Sequence, residues 1–573
     1  MNNWNELYAL WCENAKEDSD LIEELKAVAG NEAEIQDRFY QSLEFGTAGL
    51  RGVIGAGTNR MNVYTVGQAT QGLAASLLKQ YDAPSVAIAY DSRIKSEVFA
   101  KKAACVLAAN GVKAYIFKEL VPTPVLSFAV RYLGCKSGIV ITASHNPSKY
   151  NGFKCYDPDG YQMTDESAAK TLAEIRHIDM FRDIKSIGFK EGLTAGTIAY
   201  CADEVMEAFL GEVQKAAVNP GICQSANLNL IYSPLNGTGN KPVREILKRI
   251  GIENVEVVPE QELPDGNFPT CPYPNPEIRQ VFEKALEMTA RFDADLILAT
   301  DPDCDRVGIA VKDRSGEYQL MSGNEVGAML LEYLLSQREA KGTMPPEPVA
   351  IKSFVTTNIA NKVAAKHGCR IKEVLTGFKY IGEYITDLEK QGKENNFILG
   401  FEESYGYLSG THARDKDAVV ASMLICEMAA YYKSIGKNLI EVMQELYAQF
   451  GIYKHTVISL QFEGAEGMAK MQSIMQTLRE DVITSLAGLK VEYFSDYKKL
   501  QRVNLSTNES EDILLPSTNA LVYELENDNL FIIRPSGTEP KIKAYITACT
   551  ATEEEAQALT QKMEKDFRNL IGE

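Results

Sequence analysis

The sequence predicts an α/β protein of several domains, with largely parallel sheets through most of the chain and a smaller α+β unit at its end. The chain has 573 residues, well beyond the ~250–300 at which a single core stops growing. Short apolar runs ending in polar loops alternate with segments of helical spacing, the pattern of layered α/β folds. From about Tyr453 that alternation gives way to a run of strands closed by one helix.

Taken in order, the first forty residues are polar and helix-prone, and extended chain begins only after Phe45. Ser85 to Tyr90 (SVAIAY) reads as a strand ending in Asp91-Ser92-Arg93; Ser96 to Asn110 has helical spacing, and Lys113 to Phe117 is again strand-like. Gly138 to Thr142 runs into Ser144-His145-Asn146-Pro147, and Leu228 to Tyr232 into the loop Ser233 to Gly239. Leu296 to Thr300 runs into Asp301-Pro302-Asp303, and Phe397 to Phe401 into Glu402-Glu403-Ser404. Loops at the carboxyl ends of buried strands are where open α/β sheets place their ligands. Near the end, Leu521–Tyr523, Leu530–Ile533 and Ile542–Thr547 are strands, followed by a helix from Glu553 to Leu570. Divisions near 210, 325 and 450 give expected domains 1–210, 211–325, 326–450 and 451–573.

Composition narrows the function. A formal charge of −19 argues against a nucleic-acid or anionic-membrane partner, since both reward clustered Lys and Arg. Any bound anion needs a local basic pocket. Eleven scattered cysteines without a C-x-x-C pair fit a reducing compartment. The start lacks a basic, apolar leader and no run approaches a membrane span, so a cytoplasmic location is expected. Five histidines, none in H-x-x-x-H spacing, argue against zinc.

Four strings carry chemistry. In Thr142-Ala143-Ser144-His145-Asn146-Pro147, followed by Asn151-Gly152-Phe153-Lys154, a serine sits on a rigid turn beyond a buried strand, with His145 and Lys154 as donors for an attached phosphate. Asp301-Pro302-Asp303-Cys304-Asp305-Arg306 spaces three carboxylates two residues apart, so that an extended loop projects them to one side. Hard oxygen ligands beside phosphate favour Mg²⁺. Arg534-Pro535-Ser536-Gly537-Thr538-Glu539-Pro540-Lys541 offers a guanidinium fork, hydroxyls and approachable backbone N–H groups, the parts of a phosphate cradle. Gly46 to Gly52, with Arg51, is a weaker case of the same chemistry. Gly400-Phe401-Glu402-Glu403-Ser404-Tyr405-Gly406 offers acceptors for neighbouring sugar hydroxyls, and Thr376-Gly377-Phe378-Lys379 adds an amine on a turn.

Together and in this order, T-A-S-H-N-P, D-P-D-x-D-R, the G-[aromatic]-K and E-E-S loops and R-P-S-G-T-E-P closely resemble the α-D-phosphohexomutase family over about residues 40 to 550. The resemblance implies three α/β domains with mixed sheets plus a smaller C-terminal α+β domain around one central cleft. It implies that Ser144 is a phosphoserine, that Asp301, Asp303 and Asp305 bind Mg²⁺ with Ser144, and that Glu402 and Ser404 hold the sugar. Arg534, Ser536, Gly537 and Thr538 would hold its non-reacting phosphate, with Arg306 also on the substrate. Arg51, His145, Lys154 and Lys379 match positions near the reacting centre. The implied activity interconverts glucose 1-phosphate and glucose 6-phosphate, with glucose 1,6-bisphosphate as intermediate and activator. Alternatives from the same resemblance are a phosphopentomutase, a phosphomannomutase and a catalytically silent phosphosugar-binding relative. A metal-dependent phosphatase has no need of both the Ser144 loop and the Arg534 cradle. The oligomeric state is left open.

Overall fold

The computed structural model describes residues 3–46, 49–462, 464–535 and 541–572, without the side chains of 464–466. Four sheets follow one another along the chain. The first has six strands in the order Gly49–Val53, Tyr150–Tyr156, Ser137–Ile141, Ser85–Tyr90, Lys113–Ile116 and Ile198–Tyr200. Its first three strands pair antiparallel and the rest parallel, so the sheet is mixed. The second runs Tyr318–Met321, Val307–Lys312, Leu296–Thr300, Leu230–Ser233, Val255–Val257; the third runs Arg370–Val374, Val349–Ser353, Phe397–Glu402, Gly406–Leu408. Both are mixed as well. Strands such as Ser137–Ile141 and Leu296–Thr300 are buried on both faces because helices cover each side, which is why they read as continuous apolar runs.

The last sheet is antiparallel throughout, in the order Ile452–Gln461, Lys541–Thr550, Leu530–Pro535, Leu521–Leu525, Leu489–Asp496, Gln501–Asn504, Ser510–Asp512. Alternation along Leu521–Leu525 sorts its side chains. Leu521, Tyr523 and Leu525 face a core with the helices Gly464–Glu480 and Glu553–Leu570, while Val522 joins Leu530, Ile532 and Tyr545 against Phe354, Val355 and Leu375 of the third unit.

The cores are not four. Helix Ala418–Ser434 is apolar all round and buried along nearly its whole length, packing on Asp203–Lys215, Ile222–Ala226, Asn240–Arg249 and Gly323–Ala340. Through it the second and third units share one continuous core with one face of the first. The last unit has a cluster of its own and meets the third unit through a smaller one, formed by Val522, Leu530, Ile532 and Tyr545 with Phe354, Val355 and Leu375. Among the described residues no single helix is long and apolar enough to cross a membrane. The bent pair Ala418–Ser434 and Leu439–Phe450 has the composition, but the first of these is the buried helix just described.

The helix-prone start forms Asn3–Asn14, Ser19–Ala27 and Glu32–Phe39. Trp11, 1% exposed, meets Phe39, Tyr64 and Phe181 edge-on at 5.8, 5.5 and 5.5 Å between centroids. Glu24 accepts from Arg38 at 2.6 Å and from the Ala56 N–H at 2.7 Å, tying these helices to the loop that follows strand Gly49–Val53. Gly57, at φ +133°, is required there: a Cβ would lie 2.6 Å from the Arg38 carbonyl oxygen.

Candidate active site

Three polar loops at strand ends converge, and each holds one non-glycine residue in the left-handed region: Ser144 at φ +51°, Cys304 at φ +51° and Tyr405 at φ +65°. Such residues persist only where surrounding contacts over-determine them, and they cluster at functional loops. At the first, Thr142 Oγ1 accepts the Ser144 N–H at 2.8 Å. The strand Tyr150–Tyr156 closes against it so tightly that a Cβ on Gly152 would lie 2.5 Å from the Thr142 carbonyl oxygen.

Ser144 is buried, and its hydroxyl donates to Asp301 Oδ2 at 2.9 Å, with His145 Nδ1 3.3 Å away. The Ser144 loop and the acidic loop therefore meet directly. Burial, reinforced by Arg306 and Arg51, holds His145 well below the usual histidine range, so its ring is neutral and a hydrogen-bond partner rather than a further cation. Lys154 donates to Asp303 Oδ2 at 3.1 Å, and Thr123 Oγ1 donates to the same oxygen at 3.0 Å. Arg51 lies opposite Gly152 in the strand register, beside this group.

Asp301, Asp303 and Asp305 are all buried, with ligand atoms within 4.8 Å of one another. The loop reaches this by a turn rather than the expected extended run: the left-handed Cys304 folds the Asp305 and Arg306 N–H groups back onto Asp301 Oδ1, each at 3.0 Å. Burial and the other two carboxylates push Asp301 well up. Asp303 is pushed the same way by burial, but Lys154, a hydrogen bond with Asp301 and the charge of Lys416 together more than reverse it and hold the group below the usual carboxylate range. Among the described residues Asp303 Oδ1 and Asp305 Oδ1 have no hydrogen-bond partner although buried. Buried carboxylate oxygens without hydrogen-bond partners, in a group whose ligand atoms lie this close together, fit a hard divalent cation, although Asp305 Oδ1 also has Arg306 Nε 3.7 Å away.

Arg306 donates to Glu277 at 2.9 Å and to the Ser404 carbonyl at 3.1 Å, joining the acidic loop to the Glu402–Ser404 loop. Glu402 Oε1 accepts from the Gly377 N–H at 2.7 Å. Glu403 turns its carboxylate to the Ser353 and Thr356 hydroxyls at 3.3 and 3.4 Å, so it belongs to the wall under the loop and not to the sugar-hydroxyl acceptors. Burial and Glu402 push Glu403 up to about 7, opposed by Lys543. Lys379 is drawn to Asp165 of the first unit at 2.7 Å rather than to the Ser144 loop. Arg534 is the next-to-last residue of the strand Leu530–Pro535, opposite Lys543 in register and beside the Tyr545 hydroxyl. Ser536, Gly537 and Thr538 lie outside the described residues.

Sequence reading missed three contributors. Lys416 pairs with Asp305 at 3.1 Å and Asp415 at 3.0 Å, and these carboxylates hold it charged against its burial. Its alternating-charge string Arg414-Asp415-Lys416-Asp417, just past the buried strand Gly406–Leu408, was the available signal. Thr123 gave none. Arg93 lay in plain view at a strand end, in the same position as the other site loops.

Profiles described as phosphoglucomutase/phosphomannomutase alpha/beta/alpha domains I, II and III match residues 42–182, 207–316 and 322–450, and the C-terminal domain profile of the same family matches 486–565. The chain is 36% identical over 516 residues to a phosphoglucomutase of Staphylococcus epidermidis, spanning 90% of this chain and 92% of that protein. It is 35% identical over 563 residues to a phosphoglucomutase of Staphylococcus saprophyticus, spanning 98% and 100%. The crystal structure of a phosphoglucomutase/phosphomannomutase family protein from Burkholderia thailandensis superposes with a TM-score of 0.65 at 19% identity, covering 92% of this chain and 97% of that one. With four family domains matched in order and full-length relatives of this identity, the chain belongs to the phosphoglucomutase/phosphomannomutase family of phosphotransferase enzymes of the isomerase class.

Proposed function

We propose that this chain is an α-phosphoglucomutase that exchanges a phosphoryl group between Ser144 and the 1- and 6-hydroxyls of glucose, through glucose 1,6-bisphosphate. The observation that carries this reading is the buried Ser144 hydroxyl donating to Asp301 inside a cluster of three carboxylates with orphaned oxygens. A serine placed on a cation site is suited to carry phosphate, because phosphoryl transfer depends on positioning and charge stabilisation. The likeness to phosphoglucomutases of two Staphylococcus species supports it.

In this reading Asp301, Asp303 and Asp305, with Ser144, hold Mg²⁺. Once bound, the ion supplies positive charge to the transferring phosphoryl oxygens. Lys154, already at Asp303, and Arg51, beside the loop, add fixed positive charge. His145, kept neutral, orients Ser144 Oγ. Glu402 and Ser404 hold the sugar hydroxyls, Arg306 fixes their loop to the acidic loop, and Arg534 with Ser536, Gly537 and Thr538 holds the non-reacting phosphate. Lys379 joins the substrate only after leaving Asp165, whose side chain is two-thirds exposed and holds it weakly. The bisphosphate turns within a cleft that the fourth unit, resting on the third through a small apolar contact, opens and closes. Of the units 1–210, 211–325, 326–450 and 451–573, the second and third share one core and move as one body. A cytoplasmic location accords with eleven free cysteines.

Glucose is the preferred sugar over mannose, now on Glu402 and Ser404 alone, because Glu403 is engaged elsewhere. A buried acceptor left unpaired by an epimer costs about 1–3 kcal/mol. The test is kcat/KM for glucose, mannose and ribose 1-phosphates under one bisphosphate activator. Equal values for mannose and glucose contradict the reading of the Glu402–Ser404 loop, and ribose exceeding glucose makes the enzyme a phosphopentomutase.

A further inference from the structure

The turn Asp91-Ser92-Arg93, outside all of the motif loops, sits directly behind Ser144. Arg93 Nη1 donates to the carbonyls of Pro147 at 2.9 Å and Tyr150 at 3.1 Å, and Nη2 donates to those of Ser144 and Asn146. Nε faces Asp91 Oδ2 at 3.4 Å. Four of the five guanidinium N–H groups are thus donated to backbone oxygens of one loop, while Nε makes only a charge contact with Asp91, an arrangement that lysine's three donors cannot reproduce. Both members of the pair have fully buried side chains.

The clamp is itself held from two sides. Asp91 Oδ1 accepts from the Arg93 N–H at 2.9 Å and from Ser96 Oγ at 2.7 Å, fixing the turn. From the second unit, the Phe268 ring covers the guanidinium at 5.0 Å to the centroid. Phe268 is 1% exposed and sits in the left-handed region at φ +48°. Beside it Gly266 approaches so closely that a Cβ would lie 2.5 Å from the Ile94 nitrogen. The loop carrying Ser144 is therefore gripped by a residue that the neighbouring domain seals in place.

We propose that Arg93, sealed by Phe268, is the positioning residue that holds Ser144 in its left-handed conformation and aims its oxygen at the acidic loop. Removing the fork frees four carbonyls and lets the serine relax toward ordinary backbone geometry, away from Asp301. Substrate contacts made by the Glu402 and Arg534 loops are untouched. The defect is therefore in kcat, not KM.

This inference rests on the phosphoserine reading, and two measurements separate them. Arg93→Lys and Phe268→Leu are compared with the intact enzyme in steady-state turnover of glucose 1-phosphate and in hydrogen–deuterium exchange of the 144–150 amides. The expected result for Arg93→Lys is a fall in kcat of about 100-fold or more with KM within about 3-fold, and faster exchange in 144–150 while the rest of the first unit stays protected. Phe268→Leu moves both readouts the same way by less. Lys-variant exchange in 144–150 equal to wild type overturns the clamp, whatever the enzyme's substrate proves to be. So does a rise in KM as large as the fall in kcat. A wild-type protein that carries no phosphate on Ser144 but shows the exchange difference overturns the phosphoserine reading and leaves the clamp standing.

Discussion

Asp303 is the carboxylate through which the cation site is most directly tested. Its Oδ2 accepts from Lys154 and Thr123 at 3.1 and 3.0 Å, while Oδ1 is buried without a partner among the described residues. Asp303→Asn keeps an acceptor for Thr123 but removes the one carboxylate of the three that is held below the usual range, leaving Asp301 and Asp305, both pushed up by burial and by Asp303. A ligand present at about 100 times its Kd stabilises the folded state by about 2.7 kcal/mol. For a domain of this size, at roughly 2–4 °C per kcal/mol, that raises Tm by about 5–10 °C. The substitution also strips Lys154 of a buried partner, which costs up to about 3–5 kcal/mol. The comparison is therefore made within each variant, between Mg²⁺ and chelator, by thermal unfolding. The wild type is expected to gain about 5 °C or more on adding Mg²⁺ and the variant less than about 2 °C. An equal gain in both refutes the assignment of Asp303 to the cation.

Glu403 predicts a pH effect. Pushed up to about 7 from the ordinary ~4.3, Glu403 keeps an extra proton in the folded protein, so stability falls as pH rises from about 4.3 to 7, by about 4 kcal/mol at most. Glu403→Gln should flatten that slope in Tm measured from pH 5 to 8, and an unchanged slope rejects the buried position of this acid. Arg534→Ala removes a contact to the non-reacting phosphate, so KM for glucose 1-phosphate should rise at least as much as kcat falls. A fall in kcat alone would move Arg534 from binding to chemistry.

Much of this site was legible because its parts are local strings at strand ends. Ser144, Asp301, Asp303 and Glu402 each follow an apolar run whose length and burial mark a central strand, and their side chains converge because the strands do. What the sequence could not show is conformation within a loop. The turn at Cys304 that brings the carboxylates together follows from a left-handed residue with no glycine to advertise it. Glu402 and Glu403 are neighbours of identical chemistry that point to different partners, one to the Gly377 amide and the other to Ser353 and Thr356. Thr123 and Lys416 reach the site from a helix and a loop far away in sequence; nothing local distinguishes Thr123, and Lys416 showed only in its alternating-charge string. The helix Ala418–Ser434 went unread in the sequence, yet its all-round apolar surface is what fuses the second and third cores.

The most direct test of the mechanism is the fate of phosphate on Ser144. Enzyme incubated with glucose 1,6-bisphosphate labelled in both phosphates is quenched and mapped by peptide mass and label, alongside Ser144→Ala in the turnover assay. The mechanism requires label on the peptide containing Ser144, its transfer to unlabelled glucose 1-phosphate, and loss of nearly all turnover in the alanine variant. Label on another residue, together with full activity in Ser144→Ala, would contradict it.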